Sequence, residues 1–354
     1  MENVNVAQCT STLTAPLRLI APIMASLTDV AKLAKVSIAT ASRVINNSDK
    51  VVPATRAVVQ RAMEELGYQP SRVARRLRQK GGRRHLLGLI LPDIQNPFFA
   101  EVARGVEDVA YANQFAVLLC NSDEDLKKEA FYLDVMRAES VDGVILPPII
   151  ENDPFVLKLA QSGMPIVCVD RALSNASVDT VEVDNYQGAY EAVRHLITLG
   201  HKRIGLIAGR PNLSTSRDRR RGYEEALNSA KIPVRSELIR VGDNKQASGR
   251  TLAEELLGVT PRPTALFVSN NLMAVGALEA IHARKLGVPA EVALIGFDDL
   301  PWAEALDPPL TVVRQPAYEV GAAAAELLLK RLGNRNLPAS WLRLQPRLIL
   351  RSSC

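Results

Sequence analysis

The chain has 354 residues, is 47% apolar and 23% charged, and carries a formal charge of +5. That composition excludes a disordered, fibrous or collagen-like polymer and leaves room for two or three packed domains. The charge is uneven: residues 24–85 hold 13 Lys and Arg against 4 Asp and Glu, a net +9, whereas residues 1–23 balance at zero and residues 86–354 hold 29 against 33, a net −4. A short basic module on a mildly acidic body suggests a polyanionic partner.

Residues 1–23 show no helical or strand periodicity and read as a disordered extension or a start codon placed too early. Their apolar stretch LRLIAPIMA (17–25) follows no basic segment, which argues against a signal peptide and for a cytoplasmic protein. No run reaches the ~18 apolar residues of a membrane helix, so no membrane partner is expected. The cysteines, Cys9, Cys120, Cys168 and Cys354, lie far apart without CxxC or Cys/His spacing, which argues against a zinc site and suits reduced thiols.

Residues 24–70 form the first structural module. In LTDVAKLAKVSIATASRVIN (27–46) apolar residues recur as two short amphipathic helices broken at Lys35 to Ser37, with Thr28 and Ser37 placed as N-caps nine residues apart, a spacing that suits a helix-turn-helix. A third helix is expected from about Ala54 to Leu66, after Pro53 and before Gly67. Pro70 halts it. In residues 71–78, Val73, Ala74 and Leu77 make one narrow apolar stripe among Arg72, Arg75, Arg76 and Arg78. So short and so charged a segment folds only where phosphates neutralise it. Residues 79–85 read as linker.

From residue 86 short apolar strands alternate with amphipathic helices: LLGLILP, AVLLCN, GVILPP, PIVCVD, RIGLIAG, ALFVSN and VALIGF. This implies doubly wound α/β layers with parallel sheets, too long for one sheet and hence two lobes. Ligands of such sheets sit beyond the carboxyl ends of strands, where this chain has DIQNPFF (93–99), NSDED (121–125), DR (170–171), STSRDRRRGY (214–223), NN (270–271), FDDLPW (297–302) and Gln315. Acids, amides, arginines and aromatics at such loop ends suit a sugar.

TDVAKLAKVSIATASRVIN, VVPATRAVVQRAMEELGYQPSRVARRL and the order of everything after residue 86 resemble the LacI/GalR family of bacterial repressors. The resemblance implies a helix-turn-helix headpiece joined to a two-lobed, periplasmic-binding-protein-like domain over residues 86–354. It divides that domain into residues 86–184 plus 312–338 and residues 185–311 plus the C-terminal strand. By resemblance the second helix enters the major groove of operator DNA, with Ile38 and Ala39 at base-reading positions and Arg43 at the position that pairs with guanine. Thr28, Ser37, Thr40, Ser42 and Asn46 match phosphate-contact positions. Residues 71–78 become a hinge helix in the minor groove, contributed by each subunit of a homodimer, with Arg72, Val73 and Ala74 on the DNA and Leu77 wedged into the central base step.

In the lobes, Asn96, Phe98, Phe99, Asp170, Arg171, Arg219, Asn270, Asp298 and Gln315 look like the set used by ribose-binding relatives of this fold. A neutral pentose effector is expected, and no cofactor or metal. The sequence departs from the family pattern at Lys35, where Gly is common, and at Asn271, where Asp is common. Two rivals remain: a secreted sugar-binding transport component, opposed by residues 27–78, and an α/β enzyme, opposed by the lack of a nucleophile–base arrangement. His85, His195, His201 and His282 are scattered on helix ends and turns. The chain ends at RSSC without an apolar heptad, which argues for a dimer without an appended coiled coil.

Overall fold

The computed structural model describes residues 25–45, 51–68, 85–174 and 177–354. The chain divides into two compact units, Met1–Gly82 and Arg83–Cys354.

The first unit contains helices α1 (Leu27–Leu33), α2 (Ile38–Ile45) and α3 (Pro53–Glu65). The cap of α1 is Ser26, not Thr28, which is the helix's second residue. Ser26 Oγ accepts the Asp29 N–H at 3.3 Å while Asp29 Oδ2 accepts the Ser26 N–H at 2.9 Å, and this reciprocal pair is what decides the start. Ser37 caps α2 as expected, its Oγ accepting the Thr40 N–H at 3.1 Å. Between the two helices Lys35 sits at φ 52, the left-handed conformation that a side chain adopts only at a cost. Val30, Ala31, Ala41, Val44, Val59 and Ala62 form the shared core, their small volumes letting three short helices close on one another.

The second unit is built on two sheets of six strands. The first combines β1 (Leu86–Leu91), β2 (Ala116–Asn121), β3 (Gly143–Leu146), β4 (Ile166–Val169), β5 (Asp179–Val183) and, much later, β11 (Trp341–Leu344), in the order β11-β5-β4-β3-β1-β2 with every pairing parallel. The second combines β6 (Ile204–Ala208), β7 (Ile239–Val241), β8 (Ala265–Val268), β9 (Ala293–Phe297), β10 (Thr311–Arg314) and β12 (Arg347–Ile349), in the order β12-β10-β9-β8-β6-β7. Only β12 runs antiparallel to its neighbour, β10. The central strands are continuous apolar runs because helices cover both faces: GVIL, IVCV and ALFV are buried at every position.

Helices α4 (Pro97–Ala112), α5 (Leu126–Ala138), α6 (Pro154–Gln161) and α11 (Ala317–Gly333) belong to the first lobe, and α7 (Asn185–Thr198), α8 (Ser214–Ser229), α9 (Gln246–Leu257) and α10 (Asn271–Ala283) to the second. The α4–α11 contact is backbone-close: a Cβ at Gly105 would lie 2.1 Å from the Tyr318 carbonyl oxygen, and one at Gly321 2.0 Å from that of Val102.

The expected return to the first lobe at residue 312 falls later. Val312 and Val313 are buried in the second lobe's two cores, so β10 stays there and the chain crosses back after Arg314. A third crossing follows β11, which pairs with β5 before β12 returns to the second sheet. Among the described residues no helix is long and apolar enough to cross a membrane.

Candidate functional site

In each sheet the winding reverses beside the first strand, at β1/β3 and at β6/β8, leaving a crevice beyond the carboxyl ends. A cavity of about 60 Å³ lies there between the two lobes. Asn96, Phe98, Phe99, Asp170 and Arg171 line it from the first lobe, and Arg219, Asn270 and Asp298 from the second. Gln315 is the exception among the residues expected from sequence. It lies behind the wall, its Nε2 donating to Asp298 Oδ1 at 2.5 Å, and lines a second cavity instead.

Several of these side chains also hold the local backbone. Asn96 caps α4, its Oδ1 accepting the Phe98 N–H at 3.0 Å, and Asn270 caps α10 by accepting the Met273 N–H at 2.8 Å. Phe98 and Phe99 meet edge to face, centroids 5.0 Å apart. The loops themselves are strained: Asp123, Glu124, Asp170, Asn244 and Asp298 all have φ between 54 and 70 and all line the cavity. Left-handed non-glycine residues cluster where a site demands a particular backbone.

Arg219 is firmly anchored. Its Nε donates to Asn185 Oδ1 at 2.7 Å, its Nη1 to the Ser269 carbonyl at 2.6 Å, and its guanidinium stacks 3.8 Å over the Phe297 ring, with Asp298 Oδ2 at 3.6 Å. Arg171 is less completely bonded: Nη2 donates to Glu124 Oε1 at 2.9 Å, Nε lies 3.2 Å from Asp170 Oδ2, and neither Nε nor Nη1 makes a hydrogen bond. Burial raises the Asp170 carboxyl, opposed by Arg171 and Arg219, and likewise raises Asp298, opposed by Arg219 and the Gln315 amide. Burial lowers Arg219, with Asp298 and then Asp170 opposing.

The lobes touch through polar pairs around this cavity. Asn271 Nδ2 donates to Asn96 Oδ1 at 2.9 Å, a bond that an ionised aspartate at 271 could not donate. Lys245 pairs with Asp93 at 2.5 Å, Arg210 with Glu124 at 3.4 Å, and Arg217 with Glu151.

From STSRDRRRGY sequence reasoning singled out only Arg219, leaving out Thr215 and Ser216, buried on the first turn of α8, and it passed over Asn244 and Lys245 altogether. The last two follow β7, three residues of IRV that are half-buried or exposed and carry no apolar run, so the loop after it was not recognised as a strand end.

On the helical unit, Thr28, Ser37, Ile38, Ala39 and Arg43 are exposed, Ile38 by 50%, while Thr40 and Ser42 are half-buried. Ser37 Oγ and Thr40 Oγ1 lie 2.8 Å apart. Asn46, Arg72, Val73, Ala74 and Leu77 lie outside the described residues.

Residues 84–342 match the model of the periplasmic binding proteins and sugar binding domain of the LacI family, and residues 26–71 match that of the bacterial regulatory proteins, lacI family. The chain belongs to the LacI family. Catabolite control protein A of Priestia megaterium is 37% identical over 326 residues, covering 92% of this LacI-family chain and 98% of its own. The ribose operon repressor of Halalkalibacterium halodurans is 35% identical over 330 residues, covering 93% and 97%. The lac repressor dimer bound to operator and the anti-inducer ONPF superposes with a TM-score of 0.80 at 27% identity, covering 93% of this chain and 99% of that one.

Proposed function

We propose that this chain is a cytoplasmic transcriptional repressor, not an enzyme, that binds a pseudo-palindromic operator as a homodimer and is controlled by a pentose such as ribose in the interlobe cavity. The observation that carries the effector reading is the cavity itself, which draws on both lobes and pairs two buried carboxylates, Asp170 and Asp298, with Arg171, Arg219 and two phenylalanines. Carboxylates accept from sugar hydroxyls, arginine donates to them, and an aromatic face covers the ring's C–H surface.

The charge of the lining favours a neutral ligand. Six acids (Asp93, Asp123, Glu124, Asp170, Asp243, Asp298) face four bases (Arg171, Arg210, Arg219, Lys245), a formal −2, and each base already has a carboxylate beside it. A sugar phosphate would meet no free cation there. A ribose operon repressor stands among the relatives at 35% identity.

A ligand that touches both lobes shifts their relative arrangement only by its differential affinity, typically ~1–3 kcal/mol of coupling. On the helical unit, exposed Arg43 supplies the fork that matches guanine O6 and N7, while exposed Ile38 and Ala39 offer thymine methyls only apolar contact. Leu77 is assigned the wedge that kinks the central step.

Selection of duplexes from a random pool by the full-length chain tests the operator reading. A pseudo-palindromic sequence should emerge, bound with a steep salt dependence, and Arg43→Ala should relax discrimination at one position of each half-site by ~1–3 kcal/mol. Recovery of no common sequence, or ribose leaving the selected duplex's affinity unchanged, would overturn the reading.

A further inference from the structure

The amino ends of two helices meet across the cleft. Asn96 is the N-cap of α4 in the first lobe, and Asn271 is the first residue of α10 in the second. Both are buried, Asn271 completely. Asn271 Nδ2 donates to Asn96 Oδ1 at 2.9 Å, joining residues 175 apart in the chain.

The backbone fixes which way both amides face. Asn96 Oδ1 accepts the Phe98 N–H at 3.0 Å, so turning that amide would set its NH2 against an N–H. Asn271 Oδ1 accepts the Leu272 N–H at 2.8 Å, and the same holds there. With both oxygens claimed by backbone donors, Asn271 has only its NH2 to send to the first lobe, and Asn96 receives it on the oxygen that already caps α4. Asn96 Nδ2 is left over. It makes no hydrogen bond among the described residues and, unlike the unbonded atoms of Arg171 and Gln315, it is open to solvent, on a residue that lines the first cavity.

The other pairs that cross between the lobes around this cavity differ in kind. Lys245 with Asp93, Arg210 with Glu124 and Arg217 with Glu151 are ionic, and their cationic side chains are 44%, 38% and 47% exposed, so water and salt screen them. The Asn96–Asn271 bond is neutral and shielded. It places lobe contact and cavity wall in one side chain.

We propose that Asn271 is a positioning residue for the effector. Acting through Asn96, it keeps one donor, Asn96 Nδ2, for a hydroxyl of the ligand and holds the two lobes in the arrangement that encloses it. The inference rests on the reading of this cavity as the effector site. An aspartate at 271 would fill the same space and accept the Leu272 N–H, and its charge suits the amino end of α10, so the helix would lose little. Towards Asn96, however, it would offer only an acceptor. Asn96 could answer it only by turning Nδ2 to it, which would uncap Phe98 and remove the donor from the cavity.

The test is Asn271→Asp in the full-length protein at neutral pH, read in two ways. Without sugar, hydrogen exchange followed by mass spectrometry should be about tenfold faster over residues 96–100 of the opposite lobe, where the Phe98 N–H loses its steady cap. Exchange in β3 and β8 should match the wild type, which shows that the fold is kept. With ribose, calorimetry should give a Kd raised about tenfold. A purely local role for Asn271 would confine the faster exchange to the start of α10. That outcome, or a wild-type Kd for ribose in the variant, would overturn the proposal. Wild-type protein that binds no ribose would overturn the pentose reading, while exchange over residues 96–100 would still decide whether Asn271 acts through Asn96.

Discussion

Two arginines face the same cavity from opposite lobes and are held differently. Arg219, in the second lobe, is locked by Asn185, the Ser269 carbonyl, Asp298 and the Phe297 ring. Arg171, in the first, keeps two nitrogens without hydrogen bonds although it is 4% exposed. One arginine is thus held mainly by neutral groups and an aromatic ring, the other by two carboxylates of its own lobe, Glu124 and Asp170.

Removing Arg219 should break this arrangement most severely. Arg219→Ala leaves Asp298 buried beside no cation, and loss of one partner of a buried pair costs ~3–5 kcal/mol; urea denaturation should show it and ribose binding should vanish. A stability change below about 1 kcal/mol would place Arg219 among ordinary surface arginines.

Behind Arg171 the first lobe buries a further acid. Glu129 is 1% exposed, and its pKa is pushed up to about 8, first by burial and then by the hydrogen bond it makes as a neutral acid to the Asp153 carboxyl beside it. A carboxyl with its folded pKa above its unfolded value favours the fold fully below the unfolded value of 4.5, and that contribution is lost as pH rises through about 8. Wild-type stability should therefore fall by a few kcal/mol from pH 5 to pH 8.5, on the order set by ~1.4 kcal/mol per pKa unit. Glu129→Gln should flatten that fall, and equal pH profiles of the two proteins would contradict it.

Arg171→Met sharpens the contrast. Glu124 retains Arg210, but Asp170 loses its partner at 3.2 Å and keeps only the more distant charge of Arg219, so stability should fall too, though by less than at Arg219, while ribose affinity drops about tenfold to a hundredfold with the loss of charged hydrogen bonds. Equal losses for Arg171 and Arg219 in both stability and binding would erase the distinction between the lobes. The smallest effects belong to the helical unit and serve as controls outside the cavity. Ser26→Ala should cost ~1 kcal/mol through the lost capping box, and Lys35→Gly, relieving a φ of 52, should gain about 0.5–1 kcal/mol. Neither should change ribose binding.

How much was legible in the sequence follows from what each element buries. Strands such as GVIL and ALFV, buried on both faces, announce themselves as apolar runs, and the residues just past them were therefore findable. Two of the edge strands do not: β7 and β11 are short and only half-buried or exposed, with no continuous apolar run, and Asn244 and Lys245 were missed with β7. The lobe boundary shifted for a related reason, since nothing in TVVR tells which of two sheets will bury its valines. Gln315 was placed on the right wall but not on the right side of it, because the Asp298–Gln315 bond that turns the amide away from the first cavity is a contact across 17 residues. The N-cap at Ser26 was in principle readable from Asp29 three residues on.

The central claim is that the interlobe cavity holds a neutral pentose. Calorimetric titration of the full-length protein with ribose, cellobiose and ribose 5-phosphate in turn tests it directly. Ribose should saturate one site per chain and the other two should give no saturable heat; binding of cellobiose or the phosphate with none of ribose would contradict it.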